Sequence, residues 1–174
     1  AVSTALAAAE PTLEQLQDKA RQGDAAAQLA LAVRLRDGKD APKDDTAAMQ
    51  WAHRAADKGN AEAMDFVGFA YLRGAVVERN TAVAFGYFKA AAENSAQAAF
   101  NLGQCYYGAQ GTEQDCAKAL DWWKKAAANG HGRAASTAAM ALLSGEGVPP
   151  DAAEARRLAE RAAELNDPSG LIVL

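Results

Sequence analysis

Residues 96–130 read AQAAFNLGQCYYGAQGTEQDCAKALDWWKKAAANG, and this stretch decides the fold. Its first half sets Leu102 and Tyr106 four positions apart, with Gly103 directly beside the leucine. Its second half carries Trp122, then Ala126 and Ala127, and stops at Gly130. Apolar residues at i and i+4 lie on one stripe of a helix, and a glycine-bearing break between two stripes predicts helix–turn–helix. The small residue beside the first stripe has a packing reason: a side chain there would hold the partner helix away.

The same pattern returns along the chain. Trp51, Tyr87, Trp122 and Leu158 are separated by 36, 35 and 36 residues. The first-helix segments 25–38, 61–74, 96–109 and 132–145 align Leu31, Val67, Leu102 and Ala138. Each is followed by a small residue (Ala32, Gly68, Gly103, Ala139) and, four positions on, by Leu35, Tyr71, Tyr106 or Leu142. Turns follow at Gly38, Gly74, Gly111 and the pair Gly145/Gly147. Asp44, Asn80, Asp115 and Asp151 then offer side-chain oxygens to cap the second helices. Each second helix carries an alanine pair and ends at Gly59, Ser95, Gly130 or Asn166. A period near ~35 residues signals stacked helical hairpins, because one hairpin cannot bury its apolar face alone. The expected organisation is a flank over 1–10 and one solenoid over 11–174. Within the solenoid come a capping helix at 11–23, units at 24–59, 60–95, 96–130 and 131–166, and a partial next helix at 167–174.

Composition agrees with an all-α chain. Half of the 174 residues are hydrophobic, yet only 7% are aromatic, and alanine supplies much of the rest. Net charge is -4 with no dominant Lys/Arg cluster, which argues against a nucleic-acid backbone as partner. No stretch is long and apolar enough to span a membrane. The opening AVSTALAAAEP offers the small-residue pattern Ala5-Leu6-Ala7 that a signal peptidase accepts, so it reads as the tail end of a secretion signal. The other reading is an alanine-rich flank of no consequence. Cys105 and Cys116 do not have zinc spacing; they lie across one loop, so a disulfide between them is sterically conceivable, free buried thiols being the commoner outcome. The last four residues, Leu171-Ile172-Val173-Leu174, are apolar without a polar capping face, which suggests a surface covered by further chain or by something else.

The unit A-x-A-Q-x-x-L-G-x-x-Y-x-x-G-x-G-V-x-x-D-x-x-x-A-x-x-W-x-x-x-A-A-x-x-G resembles the Sel-1-like repeat, a relative of the tetratricopeptide repeat. The turn Gly145-Glu146-Gly147-Val148-Pro149-Pro150-Asp151 lies close to that pattern. Departures are local. Ala109 stands for the first turn glycine in unit three, and Asp40 and Val76 stand for the second in units one and two. One residue is missing between Ser95 and Ala96. The resemblance implies a right-handed α/α superhelical solenoid of four repeats that holds another protein, serving as an adaptor in bacterial envelope, signalling or host-contact settings.

In relatives of this architecture the first helices line a concave groove. The register then places Leu29, Val33 and Arg36 there from the first unit, and Glu62, Asp65, Phe66, Phe69 and Leu72 from the second. The candidate partner-binding residues are Asp65, Phe66, Phe69, Arg73, Phe100, Asn101, Gln104, Tyr107, Arg133 and Thr137. The aromatics supply anchor area, Asn101 and Gln104 pair with peptide amides, and the arginines hold a carboxylate. The competing reading of the phenylalanines is core packing between units. Trp51, Tyr87 and Trp122 are expected to pack between helices, and Trp123, one step off that stripe, to be partly exposed. His53 and His131 have no patterned nucleophile beside them, and no phosphate-binding loop occurs, so no catalytic residue, cofactor or metal site is assigned. The expected function is a non-catalytic scaffold, periplasmic or secreted, alternatively cytoplasmic, its oligomeric state left open with a monomer favoured. The competing readings are a small-molecule or cell-wall glycan binder with weak or no hydrolase activity, and a spacer within a longer membrane-linked protein.

Overall fold

The computed structural model describes residues 10–170, so the expectations for the rest of the flank and for the last four residues lie outside the described residues. Among the described residues there are nine helices and no strand. A capping helix α1 (Leu13–Arg21) precedes four hairpins: α2 (Ala25–Asp37) with α3 (Asp45–Asp57), and α4 (Ala61–Arg73) with α5 (Thr81–Ala91). Then come α6 (Ala96–Tyr107) with α7 (Cys116–Ala128), and α8 (Gly132–Ser144) with α9 (Ala152–Glu164). Each hairpin packs against the next, and α4 touches α6 as α7 touches α9, so the hairpins stack in series. No described helix is long and apolar enough to cross a membrane.

Every one of these helices has a side-chain cap at its N-terminus. Asp44, Asn80, Asp115 and Asp151 cap the second helices as the sequence predicts. The first helices are capped too, by Asp24, Asn60, Ser95 and, at α8, the ring nitrogen of His131. Each cap meets an N–H that the helix itself leaves unpaired.

The turn inside each hairpin has one geometry whatever residues it carries. Two residues adopt the left-handed region in every unit: Gly38 and Asp40, Gly74 and Val76, Ala109 and Gly111, Gly145 and Gly147. The capping residue's N–H then donates to the stripe residue's carbonyl. These bonds run from Asp44 to Leu35, Asn80 to Tyr71 and Asp115 to Tyr106 at 2.9 Å, and from Asp151 to Leu142 at 3.1 Å. The non-glycine substitutions therefore strain the turn rather than reshape it. The missing residue does change local structure: no residue between α5 and α6 turns left-handed, whereas Gly59, Gly130 and Asn166 do so after the other second helices.

The core seam runs between the two helices of each hairpin. Leu31, Val67, Leu102 and Ala138 are buried, as are the small residues beside them. The register they face is Ala52, Phe88, Trp123 and Ala159, all buried. Trp123 is thus 2% exposed, contrary to expectation. One residue along a helix is a rotation of ~100°, and the true inward stripe lies one step after Trp51, Tyr87 and Trp122. Those three are half-buried, with Arg54 over Trp51 and Lys125 over Trp122 at 4.5 and 4.9 Å. Where the second helix brings an aromatic ring, the first brings glycine. A methyl on Gly68 would sit 2.8 Å from the Phe88 ring, and one on Gly103 would sit 2.4 Å from Trp123 Nε1.

Cys105 and Cys116 are separate thiols. Cys105 points into the core, whose lack of solvation pushes its thiol up to about 11. Cys116 opens α7 and packs instead on Gly147 of the next turn, where an added Cβ would lie 2.5 Å from Sγ.

Candidate functional site

Stacking the first two hairpins leaves a trough that neither forms alone. Leu29, Val33 and Arg36 come from α2, Met49 from α3, and Phe66, Phe69 and Arg73 from α4; the cavity is about 510 Å³ and open to solvent. A second hollow of about 580 Å³ shares Leu29, Val33 and Glu62 with it, so the trough continues along the α2–α4 seam. Its floor is apolar because Leu29, Val33, Met49, Phe66 and Phe69 supply it.

The aromatics are graded along α4. Phe66 is half-buried with the Arg36 guanidinium 5.2 Å from its ring centre, while Phe69 is 44% exposed with Arg73 at 5.0 Å. A guanidinium over a ring face keeps its N–H edges free for a partner. Arg36 spends those edges on Asp37 at 2.7 Å, and Lys43 pairs with Asp45 at 3.2 Å. Among the described residues Arg73 and Glu62 meet no opposite charge.

Asp65 lies at the wall of the trough. Burial, with the Glu62 charge adding to it, pushes its carboxyl up to about 6, although the Asn101 amide donates to it at 2.6 Å and opposes the rise. Asn101 accepts in turn from Gln97. One of its two amide hydrogens and its carbonyl oxygen are thus engaged within the protein rather than offered to a peptide.

Other candidates fall elsewhere. Phe100 is 7% exposed and stacks on the His131 ring at 4.6 Å, so it is core and not a groove contact. Its position two residues before Leu102 turns it toward the neighbouring unit's first turn. Gln104, Tyr107 and Thr137 line a separate recess of about 340 Å³ between units three and four, where Tyr107 donates to Glu146 at 3.1 Å. Arg133 is exposed and lines neither hollow; its carbonyl accepts from the Ser136 and Thr137 hydroxyls. The structure thus brings Asp65, Phe66, Phe69 and Arg73 together in the trough, with Asn101 bonded to Asp65 from behind, gathers Gln104, Tyr107 and Thr137 in the second recess, and leaves Phe100 and Arg133 outside both. Val76 and Met49 were not anticipated. Val76 had a signal: a β-branched residue where two sister units carry glycine.

The Sel1 repeat profile matches residues 25–60, 61–95, 96–131 and 134–167, and the chain belongs to this family. Among solved structures, a protective antigen of uropathogenic Escherichia coli with an SLR fold is 37% identical at a TM-score of 0.83. The similarity covers 88% of this chain but 33% of that one, so the chain spans a third of the antigen's length. A Sel1 repeat protein from Oxalobacter formigenes is 25% identical at a TM-score of 0.84, over 93% of this chain and 67% of that one. An immunity protein from Pseudomonas aeruginosa, 17% identical with a TM-score of 0.55 over 91% and 75% of the two chains, shares the fold alone. No curated protein is significantly similar in sequence. Sel1 repeat proteins are in general non-catalytic protein-interaction scaffolds.

Proposed function

We propose that this chain is a scaffold that seats a segment of another protein in the trough between its first two units, in a bacterial envelope setting. The observation that carries the reading is an open, apolar-floored trough in which Phe69 stays 44% exposed with the Arg73 guanidinium over its ring. A buried aromatic anchor ringed by charged groups is the usual way a binding surface concentrates its energy. The six charged groups of its lining, Arg36, Lys43, Asp45, Glu62, Asp65 and Arg73, are spread along it rather than gathered around one point, which supports a surface for a chain over a pocket for a small substrate. The envelope setting rests on the alanine-rich opening and on the protective antigen among the similar structures.

Affinity capture with the purified chain, read by quantitative mass spectrometry, tests this. Replacing both Phe66 and Phe69 with alanine should leave the helical content intact and deplete the captured partner. Equal capture by both forms would move the seat elsewhere.

A further inference from the structure

The trough is polar along its length. Arg73 closes α4 at one end; Glu62 opens it at the other, with Asp65 one turn further in. Eleven residue steps at the helical rise put Glu62 and Arg73 about 16 Å apart. The other charges along the trough and its continuation are spent internally, Lys43 on Asp45, Arg36 on Asp37, Arg34 on Asp40 and Lys39 on Glu10, so the field offered to an occupant is negative at one end and positive at the other.

The apolar mouth is not centred. It sits at the arginine end, where Phe69 and Val76 are both exposed. Val76 holds φ +72 where the equivalent positions are Asp40, Gly111 and Gly147. A β-branched residue in the left-handed region is strained, and strain of that kind concentrates at binding sites. At 52% exposure the isopropyl group recovers little of it by burial within the chain. What the residue does achieve is to set an apolar group at the mouth, beside Phe69 and the open edge of Arg73.

We propose that this trough, if it is the seat described above, selects a segment whose bulky apolar residue lies beside a carboxylate, with a cationic residue toward its other end. The apolar side chain enters between Phe69 and Val76, the carboxylate meets Arg73, and the cation meets Glu62 and Asp65. Charge complementarity of this kind fixes the direction of the bound chain more than it raises affinity.

Selection of random displayed peptides on the immobilised full chain tests it, run beside a Glu62→Lys/Arg73→Glu form. Both residues are exposed, and thermal melts of the two forms verify that the fold is kept. The expected wild-type consensus couples an apolar residue to an adjacent acid and a more distant base. On the exchanged form the apolar residue should persist while the two charges trade signs. A wild-type consensus peptide should bind roughly tenfold more weakly to Arg73→Glu. A consensus lost with Phe69→Ala but indifferent to the charge exchange overturns this inference and leaves the scaffold reading standing. Peptides independent of Phe69, or no enrichment, overturn both. So would concentration-dependent self-association abolished by Phe69→Ala, which would make a second copy of the chain the occupant.

Discussion

Gly103 and Trp123 face each other across the third hairpin so closely that the backbone of one covers the indole N–H of the other, which is buried without a hydrogen-bond partner. The equivalent pairs in the outer units are Ala32 with Ala52 and Ala139 with Ala159, so the seam trades ring for methyl against glycine for alanine. Alanine normally favours a helix over glycine by about 1 kcal/mol. Here the clash decides the sign: Gly103→Ala should lower stability by about 2–3 kcal/mol. Trp123→Ala should lower it by about 3–5 kcal/mol through the cavity it leaves. The double variant recreates the outer-unit pair and should be no worse than Trp123→Ala alone. Urea unfolding followed by circular dichroism measures the coupling, and simple additivity would show that the two residues do not share this space.

Val76→Gly should raise stability by about 1 kcal/mol, which for a chain of this size moves the melting temperature up by about 2–4 °C. The same change at Asp40 should do less, since Asp tolerates the left-handed region better than a β-branched residue. Weaker capture of the partner by Val76→Gly, despite its higher melting point, is expected if the strain serves binding.

His131 makes stability depend on acid. Its Nδ1 accepts from the Ala134 N–H at 3.0 Å and its Nε2 carries the proton toward Gln97 at 3.1 Å, so the cap needs the neutral ring. Burial holds the folded histidine below the ordinary value of 6.5. The unfolded chain therefore binds the proton more readily, and the contribution, full above 6.5, is lost as pH falls below it. His131→Asn keeps a capping acceptor that does not titrate. The melting temperature of the wild type should fall between neutral pH and about pH 5 by more than that of the variant, by about 1 kcal/mol in stability. Parallel curves would contradict the cap's role.

Asp65 works in the opposite sense. With its carboxyl raised from 3.8 to about 6, the folded state holds the proton more tightly than the unfolded one. Its ionisation then opposes folding, with no penalty below 3.8 and the full penalty above about 6. Asp65→Asn keeps an acceptor for Asn101 and should gain about 1–2 kcal/mol at neutral pH after partial exposure is discounted, and nothing near pH 4. Urea midpoints at the two pH values measure the difference.

The hairpins were legible because their determinants are local and repeated. Leu31, Val67, Leu102 and Ala138 recur in step with small neighbours, and the four second-helix caps are residues that cap for evident reasons. Less was legible where one residue's rotation matters. Trp122 and Trp123 differ by a single step, and only the depth of the Gly103 approach decides which is inside. The His131 cap was missed because an imidazole seldom takes that place. The trough was only half legible. Asp65, Phe66 and Phe69 follow from the register of α4, and Leu29, Val33 and Arg36 from that of α2, but the width of the trough depends on how far α2 stands from α4. That distance is set by the stacking of units, which no single segment encodes. The same stacking hides Phe100 against His131.

Hydrogen–deuterium exchange of the chain with and without its captured partner bears most directly on the trough as the seat. The account predicts slowed exchange in the α4 half around Phe69 and Arg73, in the turn through Val76, and along the facing part of α2. Slowing confined to α8, or to the second helices α3, α5, α7 and α9, would contradict it.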